Sequence, residues 1–387
     1  MFSQILAISM MNLRNIRSRL GTSSVIVIGI GGVVAVFVGI LALANGFQSA
    51  LASAGKEERA IVMRGGATSE MNGAITREQR NIISKLPGID AVSGEIYSVI
   101  DVNKKATGTP ANLVLRGLDS AGFDIRTEVE VVEGRRFGEG KQEVIVGVGA
   151  NMLFENIAVG DALKVRGGEW QVVGLFSAEA TAYEGEVWGD ANVVGNALGR
   201  SGVVSTLRVG LAPSADIEAI NAQMTSDPRL DHLLRTEAEY YASQSESLNG
   251  LISGFGYLVA TIMAIGAVFA ALNTMYSAVS TRTVEIATLR ALGFGSGPVV
   301  VSVMLEALAL ALIGGLLGAG IVYFGVDGYT SSTLNSASFS QVVFDYEVSG
   351  RLIVQGLAWA LVLGLFGGLF PAVRAARLPI TTALRGD

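Results

Sequence analysis

Cysteine is absent from this 387-residue chain, so no disulfide framework, thiolate nucleophile or thiolate metal site enters the account. Histidine occurs once, at His232, which removes His-rich metal centres and leaves a Ser-His-Asp arrangement with a single candidate base. That histidine lies in the polar stretch SDPRLDHLLR, with no nucleophile that the sequence can name beside it, and reads as a surface residue. Charge is scarce as well: Asp, Glu, Lys and Arg make up 16% of the chain, and the net charge of −6 gives no basic surface for nucleic acid. No G-x-x-x-x-G-K-[ST] run is present, and the glycine-rich stretches lie in apolar runs instead of at a strand-to-helix turn. The chain is therefore expected to be non-catalytic and to bind neither cofactor nor metal directly.

Long apolar runs are what the sequence has instead. Half of its residues are hydrophobic and the mean hydropathy is +0.49, which points to a membrane protein. Val25 to Leu43 is uncharged and, at about 1.5 Å per residue, long enough to cross a hydrocarbon core of about 30 Å. It exceeds a signal-peptide core and reads as an anchor, span one, residues 25–45. Three further spans follow at 250–279, 299–326 and 352–371, and residues 46–249 form an insert too long and too charged to be a loop.

Arginine placement orients the spans, because Lys and Arg near span ends favour the cytoplasm. Arg14, Arg17, Arg19, Arg282, Arg290, Arg374, Arg377 and Arg385 fall in the N-terminal segment, the 280–298 loop and the 372–387 tail, opposed there by Glu285 and Asp387. The insert carries 19 Lys and Arg against 28 Asp and Glu, and the 327–351 loop is also acidic. Both termini are expected in the cytoplasm of an inner-membrane protein, with the insert periplasmic. Residues 1–24 carry apolar positions at helical spacing and read as a cytoplasmic amphipathic helix.

Within the insert, Thr76-Arg-Glu-Gln79 forms a capping box ahead of a helix that stops at Leu86-Pro87-Gly88. Short β-branched segments at 112–116, 143–148, 163–166, 170–176 and 206–209 read as strands, and 215–224 as a helix closed by Asp227-Pro228. The fold class is an α-helical membrane protein of four transmembrane helices plus an α+β domain inserted between helices 1 and 2. Residues 236–249 are helix-permissive and lead into span two as a continuous stalk.

Two features carry the functional expectation. Gly31, Ala35 and Gly39 in span one and Gly256, Ala260 and Ala264 in span two repeat at four-residue spacing, as do Gly314 with Gly318 and Gly364 with Gly368. Small residues so spaced let helix backbones approach, within a chain or between chains. In the loop STRTVEIATLRALGFGSGP, Arg282, Glu285, Ile286, Leu289 and Arg290 fall at helical offsets and Gly293 stands at a C-cap position. A short helix results, showing Ile286, Leu289 and Leu292 beside charge, a surface suited to another protein's groove. Glu306 is a carboxylate inside a span, close enough to the end to be held by an arginine, and is read as structural more than as a transport group.

The chain resembles the permeases of MacB-like, FtsX-like and lipoprotein-releasing (LolC/LolE-like) ABC systems, the type VII or mechanotransmission transporters. The resemblance rests on the one-plus-three span layout, on Arg282-Thr-Val-Glu285-Ile-Ala-Thr-Leu289-Arg290-Ala-Leu-Gly293, on Glu306 followed by Gly314-Gly-Leu-Leu-Gly318, and on Phe370-Pro371-Ala-Val-Arg374-Ala-Ala-Arg377. In the insert it rests on Glu133-Gly134-Arg135-Arg136-Phe137 and Val172-Val173-Gly174-Leu175-Phe176. It implies a dimer, with a second copy or a paralogue, whose seam involves spans one and two, and a coupling helix at Arg282, Glu285, Leu289 and Arg290. With about twenty residues before span one, the ATPase that uses ATP and Mg is expected to be a separate cytoplasmic subunit. The resemblance further implies efflux or transfer of a small amphiphile, lipid or lipoprotein from the periplasmic side, with a periplasmic adaptor and outer-membrane duct as further partners. An FtsX-like role, activating a periplasmic cell-wall hydrolase, is the alternative.

Overall fold

The computed structural model describes residues 20–166, 168–335, 340–377 and 379. The amphipathic helix expected at 1–24 and the tail at 372–387 therefore lie largely outside the described residues. Among those described, four helices are long and apolar enough to cross a membrane: Leu20–Ala54, Glu237–Thr281, Ser296–Val326 and Gly350–Arg377. The chain falls into two compact units. One holds the chain up to Ala44, Leu251–Asp327 and the chain from Glu347 onward; the other holds Asn45–Gly250 and Gly328–Tyr346.

In the first unit the small residues do what their spacing promised, and they do it inside the chain. A methyl group added at Gly31 would lie 3.0 Å from the Gly314 carbonyl oxygen, and one at Gly318 would run into the Gly31 carbonyl. Spans one and three thus meet backbone to backbone, which only glycine allows. Span four closes on span three the same way, with Gly364 against Ala311 and Gly368 against Ala307. On span two, Gly256 packs on Ile40, and Ala260 and Ala264 are buried. Of the two alternatives for these small residues, packing within a chain or between chains, Gly31, Gly256, Ala260 and Ala264 are used in packing within the chain. Ala35 is half-buried, and Gly39 has nothing within 4 Å of an added methyl.

The second unit is α+β. Ten strands form one mixed sheet, in the order His232–Thr236, Arg59–Arg64, Thr206–Leu211, Ile89–Asn103, Pro110–Leu118, Glu186–Asp190, Glu143–Gly147, Gly168–Ser177 and Glu130–Gly134, with Ala162–Val165 paired to 168–177. The long strand Ile89–Asn103 bridges two apolar cores. One gathers Trp170, Phe154, Val144 and Leu115; the other gathers Ile83, Leu207, Ile220 and Leu234. Helix Arg77–Ile83 starts as read from sequence, with Thr76 accepting from the Gln79 N–H and Gln79 accepting from the Thr76 N–H. Asp216 caps Ile217–Ser226.

Two expectations for this unit are revised. The 327–351 segment is a β-hairpin, Thr330–Asn335 with Ser340–Asp345, whose Ser340 hydroxyl is 3.0 Å from the Tyr97 hydroxyl and whose Phe344 ring meets Phe47 edge-on. The helix expected at 25–45 runs on to Ala54, although the compact unit that contains the span ends at Ala44. His232 is buried, because the edge strand it opens pairs with Arg59–Arg64 and turns the ring inward; burial pushes the imidazole below its usual value.

Candidate functional site

Between spans two and three the chain turns at Arg282 and forms the helix Thr283–Ala291. Its end is a left-handed glycine stop. Gly293 sits at φ +94°, its N–H donates to the Arg290 carbonyl, and the Phe294 N–H reaches back to the Leu289 carbonyl at 3.1 Å. The start has no side-chain cap, because Arg282 at that position is a donor only and cannot accept from the free N–H groups.

Arg282 Nη1 donates to Glu306 Oε2 at 2.9 Å and Nη2 to Oε1 at 3.3 Å, and the two side chains are 6% and 7% exposed. The carboxylate inside span three is thus matched by a guanidinium from the loop, and neither group faces solvent. A carboxylate left alone at that depth would be costly, and the paired geometry offsets the cost. Arg282 was expected to meet a partner; it is instead the pin that fastens the loop helix to the third span. Ile286 also departs from expectation. It is buried, over a crevice formed with Met275, Val279, Val299 and Val303, since the nine-residue helix lies down on its Ile286–Ala287 side. Glu285 and Leu292 remain outward, joined by Val284, which the sequence pattern does not single out. Leu289 and Arg290 are half-buried at the flank.

The inserted unit holds a second concentration of polar chemistry that sequence reasoning missed. Arg116 pairs with Glu186 through both Nε and Nη2 at 2.7 Å, with Glu70 at 2.8 Å and with Glu95 at 2.9 Å. Arg126 takes both Glu95 oxygens at 2.6 and 2.9 Å. Arg208 reaches Glu237 at 2.8 Å, and Arg59 joins Glu237 at 2.6 Å and Glu128 at 2.7 Å. Burial works to raise the Glu95 carboxyl, yet Arg126, Arg208 and Arg116 overcome it and hold the group well below the usual carboxylate range. Glu70 is lowered against burial by Arg116 and Arg208. Tyr183 donates to Glu237 at 3.1 Å and accepts from Tyr241, so the first turns of the helix Glu237–Thr281 are built into the network. The available signal was a charge at an inward position of an otherwise apolar strand, as at Glu95, Arg116 and Arg208.

Among the described residues no cluster of His, Cys, Asp and Glu could hold a metal ion.

Comparison with known proteins agrees in layout. Residues 22–227 match the model of the MacB-like periplasmic core domain, and residues 257–380 match that of the FtsX-like permease C-terminal region. An ABC transporter permease of Methanocaldococcus jannaschii is 24% identical over 81% of this chain and 80% of its own length. The macrolide export ATP-binding/permease protein MacB of Neisseria meningitidis is 23% identical over 94% of this chain, which spans 57% of the length of that relative. Among solved structures, the periplasmic region of MacB from Actinobacillus actinomycetemcomitans aligns with 48% of this chain and 92% of its own at 13% identity, with a TM-score of 0.38.

Proposed function

Because the chain belongs to the MacB-like periplasmic core domain family, carries an FtsX-like permease region and is an ABC transporter permease of that type, we propose that it is the force-transmitting subunit of an export system driven by a separate ATPase. The observation that carries this reading is the pinned helix Thr283–Ala291. An element that takes up a stroke must present a surface to its motor and be fastened to a span behind that surface. Glu285 and Leu292 offer the surface, with Leu289 and Arg290 at its edge, and the Arg282–Glu306 pair supplies the fastening. ATP and Mg belong to the partner, and two permease chains work together.

Force then passes along the helices Leu20–Ala54 and Glu237–Thr281, each of which contributes residues to both compact units without a break. The spans show few polar groups that could line an aqueous path, which favours an amphiphile taken up on the outer side over a solute drawn through a channel. The loop helix faces the cytoplasm and the inserted unit the periplasm.

The test is stimulated ATP hydrolysis in the complex purified with its ATPase. Glu285→Lys and Leu292→Asp are expected to abolish stimulation while membrane insertion and thermal stability stay unchanged. Unaltered hydrolysis overturns the coupling assignment. Since the chain has no cysteine of its own, single cysteines replacing the exposed Ser120 and Ser296 report the orientation: labelling of both from the same side of intact cells overturns it.

A further inference from the structure

In the inserted unit, a groove of about 380 Å³ lies between the helices Arg77–Ile83 and Ala191–Ala197, where the two apolar cores meet. That volume is within the roughly 300–1,000 Å³ of small-molecule sites. Its lining divides by chemistry. Val203 and Val204, half-buried above the core residues Ile75 and Ile96, give it an apolar side, Asn192 and Asn196 give one rim amide donors and acceptors, and Asp119 brings one carboxylate. Arg77, Arg80 and Arg200 bring three guanidinium groups to it, in an insert whose acidic residues outnumber its basic ones.

The pairing of those arginines decides the sign of the site. Arg80 is matched by Asp119 at 2.7 Å. Arg200 spends its donors on neutral oxygens, the Ser205 hydroxyl at 2.8 Å and the Gly73 carbonyl at 3.1 Å, and makes no ion pair among the described residues. Arg77 likewise has no carboxylate partner among them, although Glu78, its neighbour in sequence, faces Arg229 instead. Elsewhere in the unit, Arg59, Arg116, Arg126, Arg135 and Arg208 all have carboxylates, whereas Arg136, Arg166 and Arg235 make no ion pair among the described residues but do not line this groove. Two guanidiniums without counter-charge beside an apolar side form a surface complementary to a molecule with an anionic head and a hydrocarbon body, since guanidinium recognises carboxylate and phosphate oxygens in pairs.

We propose that this groove binds a single-tailed amphiphile with a phosphate or carboxylate headgroup, held by Arg77 and Arg200 at the head and by Val203 and Val204 along the tail. The proposal rests on the export reading only for its biological meaning, because binding requires no ATPase. A failure here leaves the coupling experiment untouched, and a failure of coupling leaves binding intact.

The test uses the full chain in a non-ionic detergent, with Ser201→Cys at the groove rim carrying an environment-sensitive fluorophore. Lauroyl lysophosphatidylglycerol, titrated below its micelle concentration, is expected to bind saturably and at least tenfold tighter than lauroyl lysophosphatidylcholine. The double variant Arg77→Gln/Arg200→Gln should lose that preference with its thermal midpoint unchanged. If it proves unstable, Arg77→Gln alone and Arg200→Lys take its place, the first expected to weaken the anion several-fold and the second to keep the preference. Equal affinity for the two lipids, or no effect of Arg77→Gln, overturns the proposal. Inorganic phosphate binding as tightly as the lysolipid overturns the amphiphile and leaves a phosphate site.

Discussion

Arg59 Nε lies 2.6 Å from Glu237 Oε2 while its Nη2 donates to the Ala54 carbonyl at 3.0 Å, so one guanidinium touches the last residue of one long helix and the first residue of another. Both contacts suit the helix dipoles, a cation at a C-terminus and an anion at an N-terminus. Further along the same two helices, Asn249 donates to Gln48 at 2.9 Å. The C-terminal end of Leu20–Ala54 and the N-terminal end of Glu237–Thr281 are therefore tied at one buried point.

Removing one partner of that tie takes a charged hydrogen-bond acceptor from two buried guanidiniums. Glu237→Gln leaves Arg59 with Glu128 alone and Arg208 with the more distant Glu70 and Glu95, and is expected to cost about 1.5–3 kcal/mol of stability in the inserted unit. Limited proteolysis and the thermal midpoint of the purified full chain measure this, and Glu237→Gln should also reduce stimulated ATP hydrolysis. A midpoint equal to that of the parent would show that the tie contributes nothing.

Acid should weaken the same unit within a definite window. Glu143 accepts from Arg135 at 2.7 and 2.8 Å and from the Gly138 N–H at 2.9 Å, and the Arg135 hydrogen bonds hold its carboxyl at about 2, down from an ordinary 4.5. Asp227 is held at about 2 by Arg229, and Glu95 is held low by its arginines against burial. A carboxyl whose folded value is depressed binds fewer protons folded than unfolded, so its stabilisation is complete above the unfolded value and is shed as pH falls towards the folded one. The thermal midpoint should begin to decline below about 6.5, where His232 protonates in the unfolded chain ahead of the fold, and fall more steeply from about 4.5 towards 2. In Glu143→Gln it should start lower at pH 7 and fall less, and parallel curves for the two proteins would remove Glu143 from the explanation.

The Arg282–Glu306 pin makes a prediction that separates fastening from transport. Glu306→Gln leaves a buried guanidinium unmatched, and should lower stability by about 3–5 kcal/mol and uncouple the ATPase. Replacing both partners with apolar residues of similar bulk, Arg282→Met with Glu306→Leu, should restore most of the stability, because a well-packed apolar pair can stand in for a buried ion pair. Coupling should return with it. Stability regained without coupling would assign Glu306 a part in the transport cycle itself and would end its reading as a fastening alone.

How much of this was legible in the sequence depends on the range of the interaction. The spans, the Thr76–Gln79 capping box and the Gly293 stop are local patterns, and they appear where the residues place them. That an arginine would hold Glu306 was legible from its depth in the span, but not that it would be Arg282, which lies 24 residues away and reads locally as part of the docking surface. Strand Ile89–Asn103 was hidden for a related reason: Ser93 and Glu95 are buried polar residues that break the apolar alternation, and Glu95 makes sense only once Arg116 and Arg126 are seen around it. The hairpin Thr330–Asp345 has strands rich in Ser, Thr, Asn and Gln, and its reason for pairing is contact with Tyr97, Lys104 and Gln244.

The glycines of span one divide into those that the chain itself uses, such as Gly31, and those that it leaves open, Gly29, Gly32 and Gly39, and this division tests the dimer. Gly31 is pressed against the backbone of span three, so Gly31→Leu should prevent the spans from closing and yield little folded protein, whatever the oligomeric state. Gly39 has nothing within 4 Å of an added methyl, so within one chain Gly39→Leu costs no contact and should leave the thermal midpoint unchanged. If a second copy packs against span one at that position, the same substitution should shift the detergent-solubilised protein from dimer to monomer in light scattering. A variant as dimeric as the parent would move the seam away from Gly39, and since Gly31, Gly256, Ala260 and Ala264 are already occupied within the chain, it would have to be sought on the exposed face of span two around Phe255, Ile262 and Phe269.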